Sequence, residues 1–189
     1  MIARTWIVAL IVLGLTSSCL ACAPEAPVAP RPQPSPSPLP DRSVVALRAL
    51  AQTLIHCIEG GNVPCLVSLL SPAGVTFGID GPPIAFAEIR RQLEARSGVY
   101  CILLDTTCLR REQRLSPNVG RMFSYREKLM DYRSHDIRVR LLKSRNGCFG
   151  QVDVGLGDGS IDLDPDERTL RFYCSRIEGD WKLDQVEYP

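Results

Sequence analysis

The chain carries almost no net charge: 22 Lys and Arg stand against 21 Asp and Glu, a balance of +1. Only Arg4, Arg31 and Glu25 lie before residue 41, so residues 41–189 hold 20 charges of each sign. That neutrality excludes general nucleic-acid binding, which rests on a basic surface that displaces counterions from phosphate. Histidine is scarce, with only His56 and His135, and residues 41–189 contain no Cys-x-x-Cys pair. A structural zinc site therefore has no ligand spacing to build on. Beyond the N-terminal leader no apolar run approaches the roughly 20 residues needed to cross a bilayer as a helix.

What the chain does have begins at its start. Arg4 is the only charged residue up to Ala23, and an apolar stretch runs from Trp6 to Leu15 before small residues follow. A basic start, a short apolar run and small residues form a secretory signal peptide, here residues 1–22. Ala21-Cys22-Ala23 offers an ordinary cleavage site, but Pro24 lies just beyond it. Cutting before a cysteine fits better and resembles the bacterial lipobox, in which small residues precede a cysteine that becomes lipidated. Cys22, preceded by Ala21, is the expected lipidation site, with Cys19 in "LTSSC" as the alternative. Plain secretion is the alternative to a lipid anchor.

Residues 23–40 hold a proline tract, with eight prolines in the seventeen positions from Pro24 to Pro40. Proline fixes φ and has no N–H, so the segment is expected to run as polyproline II and to reach on the order of 50 Å. It reads as a tether holding a domain, residues 41–189, clear of the membrane; an unstructured linker with no length requirement is the other reading. The expected setting is an exported lipoprotein facing the periplasm or the cell surface.

Six cysteines remain in the domain: Cys57, Cys65, Cys101, Cys108, Cys148 and Cys174. An even number in an exported domain reads as a disulfide framework, and six allow fifteen connectivities. Proximity suggests Cys57–Cys65, Cys101–Cys108 and Cys148–Cys174.

Asp41 or Ser43 can cap a helix whose apolar residues Val44, Leu47, Leu50, Ala51, Leu54, Ile55 and Ile58 follow a 3.6 period, ended by Gly60-Gly61. "PCLVSLL" reads as a second short helix, "GVTFG" as a strand and "AFAEIRRQLEARSG" as a helix. "VYCILLD" reads as a buried strand, with a helix start as the alternative, and residues 110–120 as a loop. "SYREKLMDYR" reads as a helix with Tyr125, Leu129 and Tyr132 on one side. In "DIRVRLLK", Ile137, Val139 and Leu141 alternate with Arg138 and Arg140, and "QVDVGL" alternates back after Asn146-Gly147, a type I′ turn signal. "TLRFYCSRI" and "WKLDQVEY" flank a second hairpin signal at Glu178-Gly179-Asp180. Helices followed by a four-strand antiparallel meander make an α+β domain.

The helix ending "CIEGGN", the segment "LLSPAGVTFG" and the closing "RFYCSRIEGDWKLDQVEY" together resemble NTF2-like or cystatin-like domains. "SGVYCILLDTTCLR" is similar to a segment of uncharacterised bacterial lipoproteins. The resemblance implies N-terminal helices packed on a curved antiparallel sheet. NTF2-like enzymes usually place Asp, His or Tyr in the cone, and no such catalytic set can be matched here residue by residue.

Several residues are weighed for chemistry. Asp105 ends an apolar segment near Tyr100; in a sheet concavity it would serve as an acid–base residue, otherwise it caps the Thr106-Thr107 turn. Ser134-His135-Asp136 holds the triad residue types, but neighbours on a strand point to opposite faces. His56 reads as a packed or surface residue. Asp158, Asp162, Asp164 and Asp166 suggest calcium, yet the EF-hand pattern fails at Glu167 and Tyr173, so no metal is assigned. Residues 110–145 carry eleven basic against four acidic groups, and residues 146–189 four against ten. Arg138 and Arg140 facing Asp153 across strands is the plain reading of that asymmetry. Arg110, Arg111 and Arg114 on a loop are the candidate anion-binding residues.

The reading reached from sequence is an exported binding or accessory module with no cofactor, an envelope protein or ligand as partner, and no nucleic acid. The alternatives are a small hydrolase or isomerase using Asp105, and a periplasmic inhibitor or immunity-type protein.

Overall fold

A computed structural model describes residues 41–114, 122–132, 134–144 and 147–187, with the backbone alone at 144, 147 and 148. The expected signal peptide, both candidate lipidation cysteines and the proline tract lie outside the described residues.

Helix α1 (Arg42–Glu59) starts at Asp41, whose carboxylate accepts from Ser43 N at 2.8 Å. That hydrogen bond satisfies one of the free N–H groups of the first turn. The expected stripe is buried at Leu47, Ala51, Leu54, Ile55 and Ile58. The helix closes on Gly61 at φ +63°, where Asn62 N bonds Cys57 O and Gly61 N bonds Ile58 O. This is the Schellman pattern that a left-handed residue allows. Asn62 Oδ1 then accepts from Cys65 N at 3.1 Å and opens α2 (Val63–Leu69), with Pro64 in its first turn. A Cys57–Cys65 disulfide clamps the corner between the two helices.

Strand β1 (Val75–Phe77) pairs with the two-residue β2 (Pro83–Ile84). Helix α3 (Phe86–Glu94) follows and buries Ile89 and Leu93. The segment expected to be a strand, "VYCILLD", is instead helix α4 (Val99–Leu104). Gly98, at φ +53°, turns the chain into it, and Gln92 Oε1 accepts from Val99 N at 2.9 Å. Its run is apolar because Val99, Cys101, Leu103 and Leu104 are all buried, and an apolar run without periodicity does not tell a buried helix from a buried strand. Helix α5 (Thr106–Glu112) follows at once, so the expected loop from 110 is helical as far as 112. A Cys101–Cys108 disulfide joins α4 to α5. Helix α6 (Tyr125–Asp131) is capped by Ser124 Oγ and buries Tyr125, Leu129 and, just beyond it, Tyr132.

The meander is present as β3 (His135–Ser144), β4 (Gly147–Leu156), β5 (Thr169–Ile177) and β6 (Asp180–Glu187). Ser144 pairs with Gly147, so the linking residues are 145–146, one position earlier than expected, and they lie outside the described residues. Ile177 pairs with Asp180 across Glu178 (φ 52°) and Gly179 (φ 96°), two left-handed residues of a type I′ turn. The sheet is larger than the meander. β6 also pairs with β1 in parallel, giving six strands in the order β2-β1-β6-β5-β4-β3 and a mixed, curved sheet.

One face of this sheet carries the core. Val152, Val154, Phe172, Leu170, Leu183 and Val186 meet the apolar faces of the helices. α1 crosses so closely that a Cβ on Gly150 would lie 2.5 Å from a Leu47 methyl. Trp181 Nε1 donates to Ser43 O at 3.2 Å and ties the last hairpin to the first helix. Among the described residues, no helix is long and apolar enough to cross a membrane.

The third expected disulfide requires correction. Cys174 is a free, buried thiol on the core face, opposite Gly150 rather than Cys148. The side chain of Cys148 lies outside the described residues. Two disulfides suit an oxidising compartment outside the cytoplasm.

Candidate functional site

Asp105 is not on a strand and does not face the sheet. It sits between α4 and α5, and its Oδ1 accepts from Cys108 N at 2.9 Å as the N-cap of α5. The turn-capping reading of this residue is the one its geometry matches. Asp105 and Tyr100 nevertheless line one shallow depression of about 360 Å³, with Thr106, Ser124, Arg126 and Met130 around them. Thr106 Oγ1 accepts from Ser124 N at 2.8 Å, which fixes the polar floor. The depression lies among α4, α5 and α6, away from the sheet face expected to form a cone.

The helix-facing side of the sheet is occupied by core side chains, so the chemistry accessible on the sheet lies on its other side, which is helix-free among the described residues. Strand registers arrange that side in rows. Arg138, Asp153, Arg171 and Glu187 are successive cross-strand partners on β3, β4, β5 and β6. The next row runs Arg140, Gln151, Tyr173, Gln185 and Thr76. A depression of about 530 Å³ opens over Arg138, Arg140, Asp153 and Arg171, with Gly155 and Thr169 at its margin.

Asp153 is the centre of this network and is only 7% exposed. Arg140 Nη2 donates to its Oδ2 at 2.5 Å, Arg171 Nε to its Oδ1 at 2.7 Å, and Gln151 Nε2 to both oxygens. Burial pushes its carboxyl up, but hydrogen bonds from Gln151, Arg171 and Arg140 outweigh that and hold it below the ordinary aspartate value. Arg171 reaches on to Glu187 through Nη1 at 3.0 Å. Arg138 pairs instead with Asp136 on its own strand at 2.6 Å, in the open. The expectation that Arg138 and Arg140 face Asp153 holds by register for the first and by ion pair for the second. Arg171, Gln151 and Glu187 were not singled out from sequence, because their roles follow from the β4–β5 and β5–β6 registers.

A second depression, about 390 Å³, lies over Phe149, Tyr173, Gln185 and Thr76 on the same side, and Asp184 and Cys174 also line it. It opens where the β5–β6 ladder shifts register between Tyr173 and Cys174. Burial pushes the Cys174 thiol up to about 12, and the charge of Asp184 adds to it.

The remaining candidates separate. Arg110 and Arg111 lie on α5, not on a loop; Arg110 donates to Met122 O at 3.0 Å and stacks over the Phe123 ring. Arg111 is exposed beside Cys108, and Arg114 is exposed beyond the helix. His135 Nε2 bonds Leu129 O at 3.0 Å while Asp136 faces Arg138, so Ser134-His135-Asp136 forms no relay. His56 is on the exposed face of α1. Asp164 caps the 3-10 turn Pro165–Arg168 through a reciprocal bond with Glu167. Among the described residues, the close set of metal-ligating types is Cys101, Cys108 and Glu112, and its two sulfurs are the disulfide. The sequence also gave no sign of Lys128, which is 3% exposed on α6 with its amine pushed down by burial.

No protein-family model and no curated protein matches this chain. Solved structures similar to it include an NTF2-like protein from Cytophaga hutchinsonii, at 12% identity and a TM-score of 0.40 over 78% of this chain and 96% of that one. Aln2 from a Streptomyces species is similar at 14% identity and a TM-score of 0.36, over 79% and 91% of the two chains. An uncharacterised cystatin-fold protein from Novosphingobium aromaticivorans is similar at 12% identity and a TM-score of 0.33, over 75% and 95%. At these values nothing about activity passes from them to this chain.

Proposed function

We propose that the chain is an exported binding or accessory module of the bacterial envelope. It is anchored by lipid on Cys22, with Cys19 as the alternative, and held off the membrane by the proline tract of residues 23–40. It meets an envelope protein or ligand on the helix-free side of its sheet. The observation that carries this reading is the division of the sheet: Leu47, Val152, Val154 and Phe172 fill its helix-facing side with apolar core. Opposite it, Arg138 and Arg140 stay 76% and 60% exposed beside a rigid, hydrogen-bonded Asp153. The test is mass spectrometry of the mature protein extracted gently from membranes. A diacylglycerol adduct on Cys22 or Cys19, with material retained under native conditions, supports the reading. An unmodified chain that carries nothing overturns it.

A second reading, a small hydrolase or isomerase, is favoured by one observation: Tyr100 and Asp105 line the same depression. Asp105→Asn tests it, because Asn caps a helix about as well as Asp but cannot act as an acid or base.

A further inference from the structure

The two edges of the sheet differ. β2 is two residues long and begins with Pro83, the kind of short, proline-bearing edge that resists pairing. β3 is ten residues long, contains no proline and pairs with β4 through ten consecutive partners. Gly157 N donates to Ser134 O at 3.1 Å in the same register. Bonded and non-bonded pairs alternate along an antiparallel ladder. Asp136, Arg138, Arg140 and Leu142 therefore direct their backbone groups to β4, while Ile137, Val139, Leu141 and Lys143 turn theirs to the open edge. Among the described residues, none of those outward groups has a backbone partner.

Charge decides what such an edge accepts. Along β3 the exposed charges are Arg138, Arg140 and Lys143 against the single Asp136. Two copies of the chain joined edge to edge would set this basic strand against itself, and like charges across strands are destabilising. An extended segment with acidic residues at alternate positions meets Arg138 and Arg140 on one face. On the other face its apolar residues meet Ile137, Val139 and Leu141, which are only half-buried at the rim of the core.

We propose that the β3 edge takes up an extended acidic segment of a partner protein by β-strand addition. The inference deepens the reading of the chain as a binding module and names the partner's chemistry. The test uses the mature full-length protein and a synthetic peptide of alternating valine and glutamate as long as β3. Affinity is read by fluorescence anisotropy and the contact by amide hydrogen exchange. Binding is expected to slow exchange at Ile137, Val139, Leu141 and Lys143, and to be absent for the valine–lysine counterpart. Val139→Pro removes an outward N–H without breaking the β4 ladder, and it should weaken binding about tenfold or more. The exposed Arg138→Glu, on the face that meets the acidic residues, should do the same with an unchanged circular dichroism spectrum. Absence of peptide binding, or binding that neither change weakens, overturns the proposal. So does a peptide-free dimer that protects the same amides, which would assign the edge to a second copy. If other material is retained natively but the peptide does not bind, the edge proposal fails while the binding-module reading stands.

Discussion

Three side chains set the behaviour of the site at the residue scale. Asp105 holds Cys108 N at the start of α5, so Asp105→Ala should cost about 1 kcal/mol in a denaturant titration, while Asp105→Asn should stay within about 0.5 kcal/mol of the parent. Asp153 is held below its ordinary value by Gln151, Arg171 and Arg140. A group depressed on folding contributes stability above its unfolded pKa of about 3.9, and loses it as pH falls through the folded value. Asp153→Asn should therefore flatten the acid limb of the stability profile below about pH 4. Its stability near neutral pH should also fall, because Arg140 and Arg171 lose a charged partner. Cys174, with its thiol pushed up to about 12 and buried, should resist alkylation in the native protein and react after unfolding without reductant. Failure to react after unfolding would show that Cys174 is oxidised.

At the scale of elements, periodic and punctuated segments were legible and aperiodic ones were not. α1 announces itself through its stripe and Gly61, and β5–β6 through Glu178-Gly179. α4 does not, because its short apolar run is buried on several sides and the Cys101–Cys108 clamp that fixes it acts through space. The parallel pairing of β1 with β6 joins Thr76 to Gln185, and no local pattern signals a contact that distant. The same limit applied to the charged row: Asp153 stands out between two valines, whereas Arg171 and Glu187 become its neighbours only once registers are known. Both disulfides close short loops, of 8 and 7 residues' separation, within the helical layer. By loop-closure entropy each should contribute about 2.5 kcal/mol. Cys57→Ala with Cys65→Ala should lower the urea midpoint accordingly while leaving the sheet's far-ultraviolet signature.

On the scale of the whole molecule, the helices and one sheet face make the core, and among the described residues the other sheet face and the β3 edge stay uncovered. This division explains how a domain with balanced charge can still carry a basic strand: its acidic residues concentrate elsewhere, in β6 and the Asp158–Glu167 connection. The order of strands carries a consequence for how the protein is made. β6 lies inside the sheet, between β5 and β1, and its Trp181 grips the first turn of α1. β1 must therefore wait about a hundred residues of synthesis for its neighbour, and the helical layer cannot seal until that strand arrives. A chain built this way stays unfinished until its last strand is available, and only then can its two layers close on each other.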